Sequence, residues 1–430
     1  MTPLTTAHIT ANSFLTATST GSTADEPEPS LLYFIPGNPG LISYYHTYLS
    51  LLSSNISSGA DDSAGDSGSG SANNSNSKGN IPQCIIHGKS LGGFEVIENE
   101  ADLSSGGPSL TNLPRKRNGM EGEAQLQSHY HQSTNTKLYS LTEQIEHVEQ
   151  NIKDFVDAWH AKNEQMKKKK KVNNGQEEQR GRGVKLILIG HSVGAYIAME
   201  VLRRHRENIE QKKTSAAGEG GSGSTMDIIG GILLFPTVID IAKSSSGRKF
   251  TQLLYIPYLA FLTSVLVKFL VFILPESWLR GVVGAFMGSP PGNAIDTTVG
   301  FLKSRQGVEQ AIHMAADEMR EITSDKWSDE IWGIASSSSA SSPMSASTAS
   351  STPAKASLNL VLYFAQQDHW VAGQTRDEII RARGGMVNGT GSNGPSMLVC
   401  EDGVVHGFCI RHSDIMAKKT AGWVRSIIQG

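Results

Sequence analysis

Apolar residues along this chain fall into two alternating patterns, short unbroken runs and stretches with a three- and four-residue beat. Leu31-Leu32-Tyr33-Phe34-Ile35 has the length of a buried strand and is stopped by Pro36-Gly37; Tyr45, Tyr48, Leu49 and Leu52 behind it mark one face of a helix. Cys84-Ile85-Ile86 is a shorter strand. Leu141, Ile145, Val148, Ile152, Phe155 and Trp159 recur at helical spacing, which predicts an amphipathic helix over Leu138 to His160. Val184 to Ile189 is the clearest strand, and a helix follows it to about Arg204. Strands over Ile228 to Phe235, Leu358 to Phe364 and Met397 to Cys400 complete the series, with helices over Thr375 to Arg383 and Asp414 to Ile428. Thr6 to Ser19 reads as an opening hairpin. Strands alternating with helices predict an α/β fold with a mostly parallel, doubly wound sheet.

Four stretches break the pattern: Ser53 to Asn80, Gly88 to Thr136, Gln211 to Thr225 and Ala335 to Ala356. Each is rich in Ser, Gly, Asn or Lys and too polar to offset its ordering entropy, so each reads as a disordered insert. The lysine run Lys167 to Lys171 reads as a solvated loop, with attraction to anionic lipid headgroups as the alternative. The chain is therefore one large domain with inserts. Residues 1–235 form the N-terminal part of the core, 236–334 a cap or lid, 335–357 a low-complexity insert and 358–430 the C-terminal part of the core.

Composition narrows the function by exclusion. A net charge of −3, from 38 basic and 41 acidic residues, gives no reason to expect a nucleic-acid partner. Three cysteines, Cys84, Cys400 and Cys409, are too few and too scattered for a disulfide framework or a zinc site, and no metal or organic cofactor is implied. The first thirty residues lack a basic and then apolar leader, so no cleaved signal peptide is expected.

The chemistry centres on Gly190-His191-Ser192-Val193-Gly194, placed where the strand Val184 to Ile189 runs into the helical Ala195 to Met199. A serine hydroxyl becomes a useful nucleophile when a tight strand-to-helix turn lifts it out of a sheet towards a base, and only tiny residues fit two positions either side. With 44 glycines in the chain, the pattern alone arises by chance on the order of once, so its placement after the best strand carries the reading. The base and its orienting acid should follow in the order acid, then histidine. Asp368 follows Leu360 to Phe364 after a short turn, at the carboxyl edge of the sheet, and His406 follows Leu398-Val399-Cys400 and the turn Glu401-Asp402-Gly403. Asp240, just after the preceding strand, is the rival acid. Asp402 reads as a turn residue, and neither His369 nor His412 sits at the loop tip after the last strand. Oxyanion donors are expected from the backbone N–H of Val193 and from the loop Pro36-Gly37-Asn38-Pro39-Gly40. Prolines have no N–H there, which leaves Asn38, with Gly37 in reserve.

Several of these segments together resemble the lipid droplet-associated hydrolase family of the α/β-hydrolase fold. They are Ile35-Pro36-Gly37-Asn38-Pro39-Gly40 with Tyr44-Tyr45, Ile189 to Tyr196, Tyr363-Phe364 to Asp368-His369-Trp370-Val371, and His406-Gly407-Phe408 with Met416-Ala417. The resemblance covers most of the patterned chain and none of the low-complexity inserts. It implies ester hydrolysis of neutral lipid or sterol esters, with Ser192, Asp368 and His406 at the family's triad positions. It also implies residence on the lipid droplet monolayer, with the cytosolic face of the endoplasmic reticulum membrane as a second location.

One segment of the expected lid bears on that surface. Leu253 to Leu274 is apolar throughout except for Pro257, Thr263, Ser264 and Lys268, long enough to span a bilayer. A true span would put Ser192 and Asp368 on opposite sides of the membrane. Pro257, Pro275 and Trp278 point instead to a hairpin or an interfacial helix dipping into one leaflet. Two alternatives stand beside the lipid-ester hydrolase: a droplet-resident tethering protein with little turnover, and a soluble thioesterase or peptidase whose apolar stretch only roofs a pocket.

Overall fold

The computed structural model describes residues 7–18, 29–58, 83–96, 137–174, 184–215, 226–334, 358–384 and 394–429. Among these residues eight strands form one sheet in the order β1-β2-β4-β3-β5-β6-β7-β8. The hairpin β1 (His8–Thr10) and β2 (Ser13–Ala17) joins β4 (Cys84–Lys89) antiparallel. All other neighbours pair parallel: β3 (Ser30–Ile35) lies between β4 and β5 (Val184–His191), followed by β6 (Met226–Leu234), β7 (Asn359–Phe364) and β8 (Ser396–Val399).

The period-two geometry of strands explains why the central runs are apolar at every position. Leu31, Tyr33 and Ile35 of β3 face one core together with Leu186, Leu188, Leu360 and Leu362. Helices α2 (Leu141–Asn174) and α3 (Val193–Ser215) cover that face through Ile145, Val148, Ile152 and Met199, Leu202. The alternate residues Leu32, Phe34, Ile187, Ile189, Val361 and Tyr363 face a second core. There they meet Tyr48, Leu49 and Leu52 of α1 (His46–Ser58) and Met416, Ala417 and Val424 of α10 (Ser413–Gln429). Helix α9 (Gly373–Arg383) links β7 to β8.

Most of the expected inserts lie outside the described residues, but their edges are ordered parts of the fold. Gly88 and Lys89 complete β4, Gly88 pairing with both Phe14 and Phe34, and Leu91 and Phe94 beyond them are buried. Two-sided pairing and two apolar anchors outweigh the polar composition there. Helix α1 runs to Ser58 because Ile56 is buried, and α3 runs to Ser215. The lysine run expected as loop lies instead within α2, whose backbone stays helical to Asn174; lysine is a good helix former and nothing in that run breaks a helix.

Between β6 and β7 the chain builds a helical insertion of α4 (Ser245–Leu253), α5 (Leu259–Ile273), α6 (Glu276–Phe286), α7 (Gly292–Lys303) and α8 (Gly307–Glu321). The apolar stretch from Leu253 is thus interrupted: Pro257 has no N–H for a helical bond, Tyr258 takes a left-handed φ of 56°, and α5 starts afresh at Leu259. No helix among the described residues is long and apolar enough to cross a membrane. The return of the insertion is pinned to α3, where Trp327 Nε1 donates to Glu200 Oε1 at 2.8 Å.

Candidate active site

Because β5, β7 and β8 run parallel, the loops that leave them emerge at one edge of the sheet, and the chemistry gathers there. Ser192 sits between the end of β5 and the start of α3 with φ at 55°, a left-handed conformation that a non-glycine residue adopts only when its surroundings enforce it. Its flanks supply that enforcement. A Cβ on Gly190 would meet the Gly194 carbonyl oxygen at 2.3 Å, and one on Gly194 would meet the Ile35 carbonyl oxygen at 2.3 Å. The Ser192 N–H donates to the Leu234 carbonyl at 3.0 Å, tying the turn to β6.

Asp368 stands four residues beyond the last residue of β7 and His406 seven beyond the last of β8. The structure brings both to Ser192. His406 Nε2 is 2.9 Å from Ser192 Oγ, and His406 Nδ1 is 2.8 Å from Asp368 Oδ2. Asp368 Oδ1 accepts the backbone N–H groups of Trp370 at 2.7 Å and Val371 at 3.3 Å, which fixes the carboxylate plane. Burial pushes the Asp368 carboxyl up, but the hydrogen bond and charge of His406, with those two N–H groups, outweigh it and hold the group below the usual carboxylate range. Asp368 is therefore ionised at neutral pH and faces Nδ1, which leaves Nε2 turned to the serine. Asp240, the rival acid, pairs with Lys243 at 2.6 Å, and Asp402 pairs with Lys419 at 2.9 Å on a turn. His369 offers its carbonyl to the Ser246 N–H, and His412 Nδ1 is buried without a partner among the described residues.

Sequence reasoning gave no role to Tyr45 and His191, which the structure places beside the candidate site. Burial, with the neighbouring His406, holds the His191 pKa down to about 3, so its ring is neutral and carries one N–H. Its Nε2 lies 2.9 Å from the His406 carbonyl oxygen, which only accepts, so Nε2 carries the hydrogen. Nδ1 accordingly accepts the Tyr45 hydroxyl at 2.7 Å, and that same oxygen accepts the Gly37 N–H at 3.1 Å. One chain of bonds thus joins the Pro36 to Gly40 loop, the serine turn and the His406 loop. It also occupies the Gly37 N–H, so the reserve oxyanion donor is already committed to Tyr45. The N–H groups of Asn38 and Val193 donate to no group among the described residues. Phe408, fully buried against Tyr45, Tyr48, His191 and Phe235, anchors the His406 loop from below. Among the described residues no cluster of His, Cys, Asp and Glu is arranged to hold a metal.

A mostly parallel sheet with a serine on a strained strand-to-helix turn, and an aspartate and a histidine on the loops of later strands, defines an α/β-hydrolase. The chain belongs to the lipid-droplet associated hydrolase family, whose model matches residues 28–409. A lipid droplet-associated hydrolase of Gallus gallus is 22% identical over 404 residues, covering 92% of this chain and 85% of that protein. One of Rattus norvegicus is 25% identical over 224 residues, 52% of this chain and 42% of that protein. Among solved structures, a soluble variant of monoglyceride lipase from Saccharomyces cerevisiae aligns with 100% of this chain and 95% of its own at 11% identity and a TM-score of 0.40. A 2-hydroxy-6-oxo-6-phenylhexa-2,4-dienoate hydrolase from Rhodococcus aligns with 96% and 94% at 10% identity and a TM-score of 0.45.

Proposed function

We propose that this chain is a serine ester hydrolase acting on neutral lipid or sterol esters at the surface of lipid droplets. The observation that carries the reading is His406 held at hydrogen-bond distance from Ser192 on one side and from Asp368 on the other. In this mechanism Ser192 Oγ attacks the ester carbonyl carbon while His406 Nε2 takes its proton, and Asp368 offsets the charge of the imidazolium. The N–H groups of Val193 and Asn38 stabilise the oxyanion of the tetrahedral intermediate. Collapse breaks the bond to the alcohol oxygen, which leaves with the proton from His406. Water, deprotonated by the same nitrogen, then releases the acid and restores the serine.

The lipid surface enters through α5. Phe261, Leu262, Val265, Leu266, Phe269, Leu270, Phe272 and Ile273 are all exposed, Phe272 at 88%, and α6 adds Trp278, Val282 and Phe286 at 93%. A helix roofing a pocket would bury these side chains, whereas an interfacial helix turns them outward. At 15 residues α5 is about 22 Å long, suited to lying in one leaflet, with Tyr255, Tyr258 and Trp278 near its two ends at the depth where amphipathic rings settle. The droplet monolayer is the surface this arrangement fits, with the cytosolic face of the endoplasmic reticulum as a second location.

The test is pre-steady-state hydrolysis of a chromogenic short-chain ester and of cholesteryl oleate in a phospholipid-coated emulsion. The expected result is a burst of alcohol equal to the enzyme concentration, abolished by Ser192→Ala. Folded wild type that binds the emulsion but turns over neither ester would favour the tethering function instead.

A further inference from the structure

The loop carrying the Asn38 N–H is held from the insertion as well as from the core. The Asn38 side chain sends both hydrogens of its amide across to α8: Nδ2 donates to the Ala311 carbonyl at 3.0 Å and to Glu318 Oε1 at 3.0 Å. Ala311 and Glu318 are seven residues apart, two turns, and so stand one above the other on a single face of that helix. With two acceptors on one side, the amide has one favourable orientation, and its Oδ1 is left buried without a partner among the described residues. Glu318 is itself buried, an expensive place for a carboxylate unless it has a fixed donor. The rest of the loop is set by the core: Gly37 through Tyr45, and Gly40 through its carbonyl, which accepts the Leu91 N–H at 2.8 Å. Asn38 is the position whose side-chain orientation is supplied by α8.

We infer that Glu318 is a positioning residue, clamping the Asn38 carboxamide so that the backbone N–H of Asn38 stays aimed at the oxyanion. The inference rests on the serine-hydrolase reading above. It assigns the insertion a part in the chemical step in addition to its surface: remove the clamp and the Asn38 peptide gains freedom, which weakens binding of the transition state and leaves ground-state binding nearly untouched.

The experiment compares wild type, Glu318→Leu and Glu318→Gln in two readouts, acylation by a soluble chromogenic ester and amide hydrogen exchange of the segment carrying Gly37 and Asn38. Leucine removes the acceptor at similar volume; glutamine keeps an acceptor. The clamp predicts that Glu318→Leu slows acylation about tenfold with KM changed less than about twofold, and speeds exchange of the loop. Glu318→Gln should restore both to within about threefold of wild type. Asn38→Ala removes the bond to Glu318 from the other side together with the one to the Ala311 carbonyl, and the double variant should be no slower than the slower single one. Should Glu318→Leu fold poorly, Asn38→Ala decides in its place: wild-type acylation with unchanged loop exchange in that variant would overturn the clamp. Wild-type rates in Glu318→Leu with unchanged exchange would overturn the clamp, as would a glutamine variant that behaves like leucine. If wild type itself shows no acylation, the serine-hydrolase reading falls, and exchange alone then decides: loop protection independent of Glu318 sinks the clamp.

Discussion

Gly194 shows how little freedom the site leaves a single residue. A methyl there would stand 2.3 Å from one backbone oxygen and 2.7 Å from another, neither of which is a flexible side-chain end. Gly194→Ala is therefore expected to lower the melting temperature and to abolish turnover, since relieving the clash moves either the serine turn or the strand beside it; circular dichroism and an ester assay read both. Asp368→Asn keeps the shape but cannot stabilise the imidazolium or fix its tautomer, and should lower kcat by about 10^4-fold with little change in KM. Glu318 carries a pH signature. Burial raises its pKa from 4.5 to about 7. The unfolded chain gives up this proton near 4.5 and the folded chain near 7, so the folded state binds more protons between those values. The group's contribution to stability then falls as pH rises through that window, by about 3 kcal/mol at most. Denaturant melts should show this loss in wild type between pH 4.5 and 7 and not in Glu318→Gln; parallel profiles for the two proteins would contradict it. That Ser192, Asp368 and His406 come together at one sheet edge was legible in the sequence because each follows an apolar run that ends abruptly. Tyr45, His191 and Glu318 were not, because their partners come from sequence-distant elements. Glu318 in particular reads as one more charge on an amphipathic helix until the fold sets Asn38 against it.

Among elements, α5 departs furthest from what a sequence pattern conveys. The apolar content of Leu253 to Leu274 was plain, yet hydropathy cannot tell a roofing helix from an outward-facing one, and the break at Pro257 and Tyr258 decides where the helix starts. Its neighbours make the difference. Ser264, the buried residue of α5, marks its inner face, and α5 packs on α7 and α8. The side chains that point away are 46% to 88% exposed, and each is worth on the order of 1 kcal/mol when moved from water into lipid. Replacing Phe269 and Phe272 together by Asp should release the protein from phospholipid-coated droplets in a flotation assay while leaving the melting temperature within a few degrees, since neither ring is part of a packed core. Retention on the droplet would mean that another surface holds it. The strands from Val184 onward and the helices after β7 were readable to within about two residues, whereas β4 and the helices α2 and α3 run past their expected ends. The edges of the polar stretches were misread because pairing of Gly88 with strands on both sides, and burial of Leu91 and Phe94, are tertiary effects that local composition does not express.

At the scale of the whole molecule, the parallel sheet converts sequence distance into proximity. Ser192 and His406 are 214 residues apart and meet at 2.9 Å because β5 and β8 point the same way and their loops leave the same edge. The insertion between β6 and β7 then sits over that edge with its apolar face outward. It touches the loop of Asn38 through α8 and the segment after His406 through Arg411, whose Nη2 donates to the Met287 carbonyl at 3.1 Å. The order of elements thus brings Ser192, Asp368 and His406 to one edge and sets the exposed apolar helix α5 in the insertion beside it. The central claim is that this edge holds an activated serine. It is tested most directly by treating the purified protein with a fluorophosphonate and locating the adduct by mass spectrometry. The account predicts one phosphonyl group per chain, on the peptide containing Ser192, and none in Ser192→Ala. A folded wild-type protein left unmodified, or modified at another residue, would contradict it.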